Sequence, residues 1–71
     1  MAATNGSYQT VRSYRFYFLL NDHIKAVETR DCADDANATV VAGTLLDERS
    51  AFDAIEVWSG RTFVHRKSRS Q

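Results

Sequence analysis

The stretch YRFYFLL, residues 14–20, gathers four aromatic rings and two leucines around a single charge, Arg15. With a side-chain period of two it reads as a β-strand with two unlike sides. Tyr14, Phe16, Phe18 and Leu20 project one way; Arg15, Tyr17 and Leu19 project the other. A chain of 71 residues supports one small domain, which has room for one core. The first set therefore has an obvious home, and the second does not.

Working outward, NDH at residues 21–23 is a turn signal, because Asn and Asp tolerate tight backbone and bond to it locally. IKAVETR, residues 24–30, returns as a second strand and completes a hairpin. In DCADD, residues 31–35, Asp34 is placed to cap a helix and Asp35 to complement the positive end of its dipole. Ala38, Val41, Ala42 and Leu45 then follow helical spacing, with Leu46 beside the stripe and Val40 nearly opposite it. Thr39, Val40, Val41, Gly43 and Thr44 are poor helix formers, so this helix depends on docking against a sheet.

Phe52 anchors the polar connector at residues 47–53. AIEVW and RTFVHR, flanking Ser59-Gly60, read as a second hairpin. If Trp58 and Arg61 close the turn, Glu56 faces Phe63 and Ile55 faces Val64. Ile55, Val57, Thr62 and Val64 then share one side, while Glu56, Trp58, Arg61, Phe63 and His65 share the other. The expected fold is a two-layer ββαββ α+β domain over residues 13–66, with four antiparallel strands and one helix on one face. A loose N-terminal segment at 1–12 and a basic tail at 67–71 flank it.

Phe16, Phe18, Leu20, Ile55, Val57 and Val64 form the expected core beneath the helix. The opposite face presents Arg15, Tyr17, Leu19, Trp58, Arg61, Phe63 and His65, a patch too apolar to lie idle in a monomer. Arg15, Tyr17, Trp58, Arg61, Phe63 and His65 are the candidate binding residues. Three readings stay open: a homodimer interface, a single-stranded nucleic-acid platform of rings and arginines, or a register one residue off that makes these rings core. Contact with a different protein partner is also compatible with such a face.

Nine basic and nine acidic residues balance, and 44% of the chain is hydrophobic. The total charge points to neither nucleic acid nor membrane. The charge is nevertheless divided: +2 over residues 1–20, −6 over 21–60 and +4 over 61–71. No apolar run approaches membrane-spanning length, and the N-terminal residues lack the apolar stretch of a secretory signal, so a cytoplasmic location is expected. Cys32 is the single cysteine, which leaves no intramolecular disulfide or multi-cysteine zinc site. His23 and His65 lack neighbours at ligand spacing, the acids at 31–35 read as capping, and each of the three glycines stands alone. No catalytic residue, metal or cofactor is expected.

YRFYFLLNDHI, then DDANA at a helix start, then AIEVWSGRTFVHR resembles small alphaproteobacterial (rhizobial-type) proteins of unknown function. The most specific piece is Glu56-Val57-Trp58 followed by Gly60. The resemblance spans residues 14–66 and implies the same ββαββ order and a bacterial cytoplasmic origin. It brings no activity, ligand or catalytic residue.

Overall fold

The computed structural model describes residues 11–69, so most of the expected loose segment (residues 1–10) and the last two tail residues lie outside the described residues. Within that span the chain forms β1 (Arg12–Leu20), β2 (His23–Cys32), α1 (Asp35–Glu48), β3 (Ala54–Ser59) and β4 (Thr62–Ser68). The strands make one antiparallel sheet in the order β2-β1-β3-β4, and α1 covers one face. This is the ββαββ α+β fold read from the sequence. Among the described residues no helix is long and apolar enough to cross a membrane.

β1 occupies the sheet interior because its YRFYFLL run is apolar on both sides. Its Tyr14, Phe16 and Phe18 are fully buried and meet Ile55 and Val57 of β3 beneath Ala38, Ala42, Leu45 and Leu46 of α1. Burying each large side chain contributes about 1.5–3 kcal/mol. Phe52 lies against Phe18 at a ring separation of 5.3 Å, with the Arg49 guanidinium 4.7 Å from the Phe18 ring centre. Val40 is exposed, as its position on the helix predicts.

Both ends of α1 are tied down by side chains. Asp34 accepts the Asn37 backbone N–H at 2.8 Å, and the Asn37 side-chain oxygen accepts the Ala33 N–H at 3.1 Å. The first bond satisfies an amide that the first helical turn leaves free, and the second ties the residue before the cap to that turn. Asp35 also accepts the buried Tyr14 hydroxyl at 2.7 Å, which fastens the helix start to β1. At the other end, Arg69 donates to the carbonyls of Leu46, Arg49 (2.8 Å) and Phe52 (2.9 Å). A cation at a helix C-terminus satisfies free carbonyls and complements the dipole. The chain end read as a basic tail is thus structural in part: β4 runs through Lys67 to Ser68, and Arg69 is a cap.

Two features of strand pairing depart from the simple alternation. Asn21 and Asp22, both at positive φ (54° and 66°), make the first turn alone, so His23 already belongs to β2. A bulge then breaks the β1–β2 register between Phe18 and Leu19. Leu19, expected to be open, is buried in a row between Ile24 and Ala54; Leu20, expected in the core, is partly exposed at the strand end. In the second hairpin the turn is Gly60-Arg61, not Ser59-Gly60, with Gly60 at φ 59° and Ser59 opposite Thr62. Glycine reaches that left-handed region without a Cβ penalty.

Candidate functional site: the open face of the sheet

Register places three rows of side chains across the face away from α1, since residues directly opposite one another share a side. The first row is Thr29, Arg15, Trp58 and Phe63; the second is Val27, Tyr17, Glu56 and Arg66; the third is Ile24, Leu19, Ala54 and Ser68. Arg15, Tyr17, Trp58 and Phe63 therefore come together as expected, and Arg61 stands beside them at the hairpin tip. His65 does not join them. A bulge at Val64 moves it one place, opposite Val57, which puts it on the helix side. In the same step Glu56 pairs with Arg66 rather than Phe63, and Ile55 with Lys67 rather than Val64. A bulged strand sets two residues against one, and everything beyond the bulge changes partner.

The face is apolar at its surface. Phe63 is 50% exposed, Val27 56% and Ile24 58%, while Tyr17 and Trp58 are half-buried between them. Ile24 and Val27 were absent from the expected set because they are three residues apart in the chain, and strict alternation sends them to opposite sides. The bulge at Lys25 reunites them. Apolar residues three apart inside a strand are the one signal from which this could have been read.

Trp58 is held in a fixed orientation by a chain of polar contacts across the sheet. Its indole Nε1–H donates to Glu56 Oε1 at 3.2 Å. Arg66 donates to Glu56 Oε2 at 2.9 Å and to Asp22 Oδ1 at 3.0 Å. Phe63 packs edge-on against the indole, centroids 5.5 Å apart and planes at 74°. The hydrogen bonds it donates to Asp22 and then Glu56 hold the Arg66 guanidinium even more firmly protonated than in water. Arg66, the last residue of the expected domain, is thus neutralised in place, whereas Arg15 and Arg61 carry no ion pair among the described residues.

Two hollows of about 300 Å³ open on this face. One is apolar, between Tyr17, Ile24, Glu56, Trp58 and Gly60. The other is polar, at the opposite end of the strands, lined by Asn21, Asp22, Asp53, Ala54, Arg66 and Ser68. Cys32 lies away from both, buried at the end of β2; burial, with Asp31 and Asp34 adding, pushes its thiol pKa up. That favours the thiol over the reactive thiolate. No group of three or more His, Cys, Asp or Glu side chains able to hold a metal occurs among the described residues.

No family model, curated protein or solved structure matches this chain.

Proposed function

We propose that this chain is a non-enzymatic accessory or regulatory protein of the cytoplasm that acts through protein–protein contacts on its open sheet face, and that it is a homodimer. The observation that carries this reading is the fixed orientation of Trp58. Its only polar atom is bonded to Glu56, and Glu56 is fixed by Arg66, so the ring is ordered before any partner arrives. A preordered aromatic loses little side-chain entropy on binding, and tryptophan anchors flanked by exposed apolar residues dominate protein interfaces. The half-exposed Phe63 beside it, with Val27 and Ile24, supplies such flanks. A single-stranded nucleic acid is favoured less, because Arg66 is neutralised by two carboxylates and Arg69 caps the helix. Arg15 and Arg61 remain to meet phosphates, on a face that also holds Glu56 and Asp22.

Light scattering over a dilution series, with Trp58 emission followed in parallel, tests the reading. The expected result is a dimer whose dissociation red-shifts the emission, and monomers from Trp58→Ala and Phe63→Ala. Dimers as tight as wild type from both variants would exclude the aromatic face as the interface. A wild-type monomer that instead binds single-stranded oligonucleotides at low salt would replace the reading with the nucleic-acid one.

A further inference from the structure

The open face is polarised along the strands. At one end stand Trp58, the half-exposed Phe63 and two cations without ion pairs among the described residues, Arg15 and Arg61. At the other end is the polar hollow of about 300 Å³, lined by Asn21, Ala54 and Ser68 with Asp22, Asp53 and Arg66; Arg66 bridges to Asp22, which leaves the lining with one net negative charge. The middle row, Val27, Tyr17, Glu56 and Arg66, separates them, and its one carboxylate and one guanidinium neutralise each other. Arg15 and Leu19 lie two residues to either side of Tyr17, as Trp58 and Ala54 do of Glu56. The two ends are therefore about equally distant from the middle row, roughly 7 Å along each strand at ~3.3 Å per residue.

From this we infer that the occupant of the open face is a second copy of the chain, stacked face to face and end for end about a two-fold axis along the middle row. The inference rests on the open face being a protein-contact surface. A two-fold of that kind brings the aromatic, cationic end of each protomer onto the hollow, acidic end of its partner. Phe63 enters the hollow between Ala54 and Ser68, and Arg15 and Arg61 approach Asp22 and Asp53. Both contacts form twice, as an isologous interface requires. Shape and charge agree: the half-exposed ring meets the partner's hollow, and the two cations that carry no ion pair among the described residues meet an end of net negative charge, where Asp22 is shared with Arg66. The axis runs along a row whose Glu56 and Arg66 are bonded to each other within each protomer, so their facing copies meet as neutralised pairs rather than as bare charges. Stacked sheets settle about 30° from parallel, which offsets Arg66 from its own copy. The alternative two-fold, parallel to the strands, sets cationic end on cationic end and leaves both hollows empty.

Charge reversal at one end, followed by mixing, tests the arrangement. The first variant is Arg15→Glu/Arg61→Glu. The second is Asp22→Asn/Ser68→Lys, in which Asn keeps the left-handed turn position. Each alone is expected to dimerise at least about tenfold more weakly than wild type, since like charges then face one another at both contacts. An equimolar mixture is expected to recover a dimer, because one contact is charge-reversed and the other unchanged. Ser68→Trp, which fills the hollow without altering charge, is expected to be a monomer by light scattering, with circular dichroism showing that it is folded. If the wild type is a dimer broken by Trp58→Ala, but these variants dimerise like wild type or fail to recover on mixing, the end-for-end arrangement is overturned and the contact face stands. If the wild type is monomeric at all concentrations, both fall.

Discussion

The two faces of this sheet are built from the same strands and solve opposite problems. On the covered side, Tyr14, Phe16 and Phe18 lose all contact with water, and the one polar atom among them, the Tyr14 hydroxyl, is given to Asp35. On the open side, the polar atoms are bonded to each other in a chain from Trp58 to Asp22, while Phe63, Val27 and Ile24 keep about half their surface wet. The covered face spends its polar contacts on holding the helix. The open face spends them on orienting a ring that the protomer leaves half-buried. A sheet with one helix has enough helical surface for one side only, so the second side is either polar or a contact surface.

The largest expected break in this comparison comes from truncating one phenylalanine on each face. Phe16→Ala is expected to lower unfolding free energy by about 3–5 kcal/mol, the cost of a large cavity in a packed core. Phe63→Ala is expected to cost under about 1 kcal/mol, measured by denaturant unfolding at a concentration where the chain is monomeric. Equal costs would mean that the two faces are energetically alike. A smaller effect comes from the helix that creates the difference. Asp34→Ala removes the N-cap bond and is expected to cost about 1 kcal/mol in the same assay.

The smallest expected effect sharpens the covered side and appears only at alkaline pH. Burial, together with the Asp35 hydrogen bond, raises the Tyr14 pKa; burial, with the neighbouring Asp31, raises that of Cys32. The folded chain keeps these protons at pH values where the unfolded chain has released them, so stability falls as pH rises. The contribution is intact below the unfolded values, near 8.5 for Cys and 10 for Tyr, and is lost through the higher folded ones. The melting temperature is expected to decline above about pH 8.5, with a shallower decline in Cys32→Ala and Tyr14→Phe. A flat profile to pH 11 would show that neither group is sealed from solvent in the way described.

How much of this was legible beforehand follows from which residues were decisive. The alternation of YRFYFLL identified a strand apolar on both sides; its place in the sheet interior came from the structure. Asp34 as cap, the Ala38–Ala42–Leu45 stripe and the exposed Val40 all followed from local periodicity and capping chemistry. Arg15, Tyr17, Trp58 and Phe63 were recognised as one face for the same reason. Ile24, Val27 and Arg66 were missed and His65 wrongly included, because two bulges changed which residues share a side. A bulge is chosen by how strands fit their neighbours, and a short run of sequence records that choice weakly.

By itself, then, the sequence determined the order of the elements, the helix cap, a strand apolar on both sides and the existence of an apolar face without a helix to cover it. These depend on neighbours one to four residues away, where backbone geometry fixes which side chains meet. The tertiary structure alone decided the strand order, the two bulges, the pairing of Arg66 with Glu56 and Asp22, and the capping of α1 by Arg69 from 20 residues away. Those contacts depend on how strands fit one another and the helix across the assembled sheet, and no local pattern encodes them. The polarity of the open face, on which the proposed dimer depends, belongs to this second group.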